Sequence, residues 1–337
     1  MKIDNLNLEE DIMIVAEIGN NHEGSYSLAE NLIGLASEAG ANAVKFQTFK
    51  TDGIVGPKDK VRYNQLKSFE LQIDQFEKLS KIAKKNDLIF LSTPFDIESA
   101  KSLSSIVSAF KISSGDNTFY PLIETIANYD KPVILSSGLV GIDQLHYTKT
   151  FIEKIWNDNN IKQSLAVLHC VSSYPVPYEE ANLLAISFLK EKLKCTIGYS
   201  DHTNGVDAAI FSAVIGARII EKHFTIDKNY SSFRDHQLSA DPKEMSQIVQ
   251  KVKFVKTLMG REKKEIQPSE HNTIPIARRS IVAKHDLSSG HHLKWDDISW
   301  VRPAKGLPPG KEHLVLGRTL LQPITKGMPI TFDSIDQ

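Results

Sequence analysis

Short, almost wholly apolar runs recur along most of the chain, separated by longer stretches in which apolar positions follow helical spacing. The runs are residues 12–17 (IMIVAE), 41–47 (ANAVKFQ), 88–92 (LIFLS), 109–112 (AFKI), 132–136 (PVILS), 165–170 (LAVLHC), 195–198 (CTIG) and 218–221 (RIIE). A run without polar alternation is the pattern of a strand buried on both faces, as parallel strands are. The stretch 27–40 shows helical spacing most clearly: Leu28, Leu32, Leu35 and Ala39 recur along it, and Gly40 is a natural C-terminal cap. Comparable stretches cover 73–85, 144–156, 207–216 and 242–259. Strict alternation of eight strands with helices over about 250 residues predicts an α/β fold of the (β/α)8 TIM-barrel type. An open doubly wound sheet is the alternative, weakened by the lack of a GxGxxG turn after the first run.

The pattern changes after Met259. Residues 260–275 are charged and polar with two prolines, which reads as a linker. From Arg278 onward, short runs and turn signals (SSGHH, RPAKGLPPG, ITKGMP) predict a compact domain of about 60 residues. The expected division is a barrel over 1–262, a linker over 263–277 and a small domain over 278–337.

Composition narrows the function classes. Hydrophobic residues are 41% and charged residues 24% of the 337, ordinary for a globular protein. A formal net charge of -1 gives no overall pull toward nucleic acid or an anionic membrane. Cys170 and Cys195 both lie in apolar runs, which fits a reducing compartment rather than a disulfide framework. The polar, acidic start is not a signal peptide, and no run reaches transmembrane length, so a cytoplasmic location is expected.

In a barrel, catalytic groups belong at the C-terminal ends of the strands. Polar residues gather there: Glu17, Lys45 with Gln47, Ser92 with Thr93, Lys111 with Ser114 and Asp116, Ser136, His169 with Ser172 and Tyr174, Ser200 with His202, and Glu221 with His223. A lysine inside an apolar run, as Lys45 and Lys111 are, is costly to desolvate unless an anion pairs with it. For one lysine a salt bridge to a nearby glutamate is the simpler reading. Two, beside Ser/Thr/Gly-rich loops, favour a phosphate- or carboxylate-binding pocket. His202 and His223 follow adjacent strands and can face one metal ion, although a hydrogen-bonded core histidine is the commoner case and His22 and His169 leave the ligand count open. The segment 227–241, which holds Asp235, reads either as a solvated loop or as a cover for the substrate.

The ordered set AEIGNNHEGS, VKFQTF, LSTPFD, FKISSGD, PVILSSG, LHCVSSYPVPYE, IGYSDHT and EKHF resembles the sialic acid synthase family, whose members make N-acetylneuraminic, legionaminic and pseudaminic acids. The tail, with RRSIVAKHDLSSGHHL and VRPAKGL, is similar to that family's antifreeze-like C-terminal domain, a SAF domain of β-clip type. The resemblance implies condensation of phosphoenolpyruvate with an N-acylated amino sugar to give a nonulosonic acid. It implies that Lys45, Thr93, Lys111, Ser114, Ser136 and Ser200 hold phosphoenolpyruvate, and that His202 and His223 bind a divalent metal, Mn2+ in the first place, with Mg2+ or Co2+ as alternatives. Glu17 then lies beside the metal and the aldehyde, and Gln47, Ser172, Tyr174 and Asp235 contact the sugar. Arg302 is implied to reach the N-acyl end from the partner chain of a domain-swapped homodimer.

Three departures bear on the sugar. Asp116 stands where glutamate is usual, Ser172 where N-acetylneuraminate synthases have asparagine, and Ala304-Lys305-Gly306 where glycine-asparagine-glycine is common. They point to a di-N-acylated 6-deoxyhexose rather than N-acetylmannosamine. Two rival readings are a phosphoenolpyruvate-dependent synthase acting on a phosphorylated sugar, which lacks the extra cations it needs, and a non-catalytic sugar- or ice-binding protein, which leaves the polar strand ends unexplained.

Overall fold

A computed structural model of the chain describes residues 1–56 and 58–336. Eight strands close a parallel barrel: β1 (Met13–Gly19), β2 (Ala43–Thr48), β3 (Ile89–Pro94), β4 (Phe110–Ile112), β5 (Val133–Ser136), β6 (Leu165–Cys170), β7 (Thr196–Asp201) and β8 (Ile219–His223). Closure comes from β8 against β1, in a register that sets Ile219 beside Met13 and His223 beside Glu17. Every run expected as a strand is one. The seventh and eighth extend further than the apolar pattern does, to Asp201 and His223, because polar residues continue the ladder into the site.

Two apolar layers hold the barrel. Outward-facing strand residues such as Val44, Phe46, Val133 and Val167 pack with the helices, among them Leu32 and Ile33 of Tyr26–Glu38 and Phe76 and Leu79 of Ile73–Lys85. Inside, Met13, Val15, Leu91, Ile134, Leu168 and Ile219 fill the barrel. The chain's start joins this inner layer. A hairpin of Lys2–Ile3 and Leu6–Asn7 buries Ile3 and Leu8 against it, so the opening residues are not the plain polar lead that their composition implies.

The helices at 73–85 and 242–259 appear as Ile73–Lys85 and Pro242–Met259, the second with an Asp241/Glu244 capping box and proline in its first turn. Helices at Lys60–Phe69, Ile97–Leu103, Tyr120–Ala127 and Ala185–Leu193 were not among the stretches located by spacing. Lys60–Phe69 buries only Phe69, so it carries no apolar stripe to reveal it.

The chain divides after Gly260 into two compact units. In the second, Ser280–Ala283 pairs antiparallel with Ile298–Val301 around a cluster that includes Ile281, Leu293, Val315, Leu320 and Ile330. The expected linker is partly ordered: Ile274–Ala277 forms a helical turn, and the Ala304 N–H donates to Pro275 O at 2.8 Å. The last linker residues are thus tied into the small domain.

Candidate active site

Along a strand, side chains alternate between faces, so residues two apart look the same way. At the C-terminal end of the barrel this alternation sorts polar residues into two sets. Glu17, Lys45 and Gln47, Lys111, Ser136, Cys170 and Ser172, Ser200 and His202, and Glu221 and His223 line one cavity of about 530 Å3. The intervening Asp201 and Lys222 do not line it; they form a separate buried ion pair at 2.9 Å.

Four buried charges form the cavity floor. Lys45 Nζ lies 2.8 Å from Glu17 Oε2 and 3.7 Å from Glu221 Oε2, and Lys111 Nζ lies 3.9 Å from Glu221 Oε1. Two ammonium groups and two carboxylates cancel. Each close pair is worth about 4 kcal/mol of attraction at an effective dielectric near 20, set against the cost of desolvating both ions. Hydroxyls complete the lattice: Lys45 donates to Thr93 Oγ1 at 3.2 Å, Lys111 to Ser136 Oγ at 2.6 Å, and Ser200 donates to Glu221 Oε1 at 2.9 Å.

Proton affinities follow from that arrangement. Burial disfavours ionisation of Glu221, but Lys111, Lys45 and the Ser200 hydroxyl outweigh it and hold the carboxyl at about 2. Glu17 shifts the other way: burial raises it, Lys45 pulls it down, and the Glu221 charge pushes it up again. Lys111 is lowered, by burial first and by the Lys45 charge next, against the pull of Glu221. Asp116, whose Oδ2 accepts from Ser113 at 2.6 Å, is raised by burial.

The loop after β5 is shaped to meet this floor. Asn117 donates to Ser136 O at 3.2 Å and Gly138 O at 2.8 Å, and Gly138 N donates to Ser114 Oγ at 3.1 Å. A Cβ at Gly138 would collide with the hydroxyls of Ser172 and Ser114, so glycine leaves room for both hydroxyls there. Ser172 Oγ is buried without a partner among the described residues.

His202 and His223 sit at the edge of the same cavity with ring centroids 5.5 Å apart. His202 Nδ1 lies 2.9 Å from Val171 O, which places the proton on Nδ1 and leaves Nε2 as a lone-pair donor. Burial opposes protonation of His202, but Cys170 and the Val171 carbonyl raise its proton affinity overall. Burial lowers His223 to about 4, so this imidazole is neutral at pH 7, and its Nδ1 is buried with no partner among the described residues. Two imidazoles, His223 neutral with an orphaned nitrogen and His202 with its Nδ1 against the Val171 carbonyl, are suited to a divalent ion. The Tyr174 ring lies 4.3 Å from the His202 ring, tilted 40° to it, and the Arg234 guanidinium lies 4.6 Å from the Tyr174 ring.

The competing histidines fall outside the cavity lining. His22 is buried, its Nδ1 accepting from Gly24 N at 3.1 Å, and His169 Nε2 meets Ala181 O at 2.9 Å. Asp235 is buried beside the site rather than in its wall: it acts on His223 and Tyr174 by charge and pairs with Arg234 at 3.3 Å. Arg302 belongs to the second unit, where its Nε donates to Ala277 O at 2.7 Å. Sequence reasoning gave no role to Glu221, Asn20 or Arg62, all of which line the cavity. Glu221 had a visible signal, since it stands two residues before His223 on one strand face; Arg62 had none, because its helix was not expected.

The closed parallel barrel with its buried lysines and paired histidines, and the small second domain, match what the motifs of the sialic acid synthase family led us to expect. The chain belongs to that family: the NeuB family model matches residues 32–264, and the SAF domain model matches 278–336. It is 41% identical to an uncharacterized protein of Methanocaldococcus jannaschii over 92% of this chain and 90% of that one. It is 36% identical to the N,N'-diacetyllegionaminic acid synthase of Campylobacter jejuni, over 91% of this chain and 95% of that one. Among solved structures, the N-acetylneuraminic acid synthetase of Leptospira borgpetersenii superposes with a TM-score of 0.76 at 34% identity, covering 81% of this chain and 94% of that one.

Proposed function

We propose that the protein condenses phosphoenolpyruvate with an N-acylated hexosamine and water, giving a nonulosonic acid and phosphate. The observation that carries this reading is the charge-balanced floor of Lys45, Lys111, Glu17 and Glu221, set beside the His202/His223 pair. An anionic substrate exchanges protein carboxylates for its own phosphate and carboxylate oxygens at the same ammonium groups, with Thr93, Ser114, Ser136 and Ser200 adding hydroxyl contacts.

The open-chain sugar aldehyde takes the bond from C3 of phosphoenolpyruvate, and positive charge develops at C2. Water adds at C2, and the tetrahedral adduct loses phosphate as its C–O bond breaks. Lys45 and Lys111 hold the phosphate and carboxylate through these changes, as preorganised charges in a water-poor site. Glu17 and Asp116, both with raised proton affinity, are the carboxylates positioned to move protons. His202 and His223 would hold a divalent ion, Mn2+ in the first place, which would supply Lewis-acid polarisation of the aldehyde. Gln47, Ser172 and Tyr174 face the sugar, and Asp235 sets the charge behind Tyr174.

The preferred sugar is a di-N-acetylated 6-deoxyhexose. Its support is the relation to the Campylobacter jejuni synthase together with Ser172 and Asp116. The active unit we infer is a homodimer in which Arg302 of one chain completes the site of the other. We place the reaction in the cytoplasm, in line with two free cysteines and the absence, among the described residues, of a helix able to cross a membrane.

Phosphate release from phosphoenolpyruvate, measured with a panel of N-acetylmannosamine, phosphorylated sugars and di-N-acetyl 6-deoxyhexoses, tests the reading. Turnover of the di-N-acetyl sugar well above N-acetylmannosamine is expected. Efficient use of N-acetylmannosamine alone overturns the sugar assignment, and no release with any sugar overturns the reaction.

A further inference from the structure

Asn20 lies in the loop after β1, buried in the cavity wall, with only 6% of its surface exposed. Its Nδ2 donates to Gln47 Oε1 at 2.8 Å, and Gln47 Nε2 lies 3.4 Å from Glu17 Oε1. Gly19 makes this close grouping possible: it adopts φ +53°, and a Cβ there would stand 3.2 Å from Glu17 Oε1 and 3.4 Å from Gln47 Nε2.

The three side chains allow one hydrogen-bond polarity. With Lys45 on Glu17 Oε2 at 2.8 Å, Glu17 Oε1 is left as an acceptor, and Gln47 turns its NH2 toward it. The Gln47 carbonyl then faces Asn20, which must present its own NH2. That leaves Asn20 Oδ1 buried without a partner among the described residues, as observed. A buried unsatisfied carbonyl is a cost, and this one is the consequence of holding Gln47 in a single orientation.

We propose that Asn20 is a positioning residue that locks the Gln47 carboxamide with its NH2 toward Glu17 and the cavity, and so fixes which oxygen of the amino sugar Gln47 reads. This rests on the proposed reaction, because it assigns Gln47 to the sugar. Without Asn20 the amide can rotate and present its carbonyl, which an acceptor oxygen on the sugar repels.

The test is steady-state kinetics on Asn20→Ala, Asn20→Ser and Asn20→Asp, alone and in a Gln47→Ala background. We expect Asn20→Ala to raise KM for the amino sugar about tenfold with KM for phosphoenolpyruvate unchanged. Asn20→Ser, which keeps a donor, should recover part of the loss. Asn20→Asp, of native size but presenting an acceptor, should do worse than alanine, the reverse of the order that packing alone imposes. In the Gln47→Ala background Asn20→Ala should add no further loss. Should the alanine variant not fold, the serine and aspartate variants carry the same comparison. Titration calorimetry with the amino sugar gives the ranking without turnover, so a wild-type protein that turns over no sugar overturns the reaction and still leaves Asn20 tested. An unchanged sugar KM, an equal rise for both substrates, or a full Asn20→Ala penalty in the Gln47→Ala background overturns the proposal.

Discussion

Lys111 Nζ stands 3.9 Å from Glu221 Oε1, with both groups buried, and its nearest acceptor is Ser136 Oγ at 2.6 Å. The lysine is held by a hydroxyl and balanced by a carboxylate slightly too far away for a hydrogen bond. Such a group is available to an incoming anion.

Lys111→Met should therefore raise KM for phosphoenolpyruvate or lower kcat by about a hundredfold or more, the scale of losing a charge-assisted contact. Steady-state kinetics with phosphoenolpyruvate varied decides it. Wild-type constants in the variant place the anion elsewhere.

Treatment with a strong chelator should abolish turnover, and Mn2+ should restore it. His202→Ala or His223→Ala should each remove both the activity and the binding of Mn2+, followed by its electron paramagnetic resonance signal, because two imidazoles form the proposed donor set. Full activity in either variant contradicts the assignment.

Glu70 secures the helix Lys60–Phe69, which contributes Arg62 and Leu66 to the cavity wall. Burial would raise its carboxyl, but the Thr51 backbone N–H, Lys67, Lys50 and the Thr51 hydroxyl hold it at about 2, below its ordinary 4.5. A carboxyl lowered in the folded state stabilises the fold above the unfolded value and loses that stabilisation as pH falls through the folded one. Glu70→Gln should cost roughly 1–2 kcal/mol at pH 7, after allowance for screening of its exposed lysine partners. The gap from wild type should narrow below about pH 4.5 and close near pH 2. Denaturant unfolding at several pH values measures it; a gap independent of pH refutes the electrostatic account.

Arg302 precedes Pro303, and its Nε is engaged by Ala277 O, which holds the guanidinium base in place. Arg302→Ala and His223→Ala proteins, each inactive, should regain activity when mixed under conditions that exchange subunits. In such a mixed dimer one intact barrel meets one intact Arg302. No recovery despite proven exchange means that each small domain serves its own barrel or that Arg302 is not a site residue.

Barrel topology was legible in the sequence because strands buried on both faces leave continuous apolar runs, and eight of them stand between helical stretches. The same logic located the site, since polar residues ending apolar strands have one place to go. His202, His223, Lys45 and Lys111 were found that way, and all four line the cavity. Helix Lys60–Phe69 was not legible, because a segment lying over a cavity buries little of itself and shows no periodic stripe. Which charges pair was also beyond the sequence. The floor joins residues of β1, β2, β4 and β8: the β1–β2 register sets Glu17 beside Lys45, and only closure of β8 onto β1 brings Glu221 to both lysines. The orientation of Gln47 needed the same closeness: an amide has no preferred face until a carboxylate on one side and a donor on the other choose it.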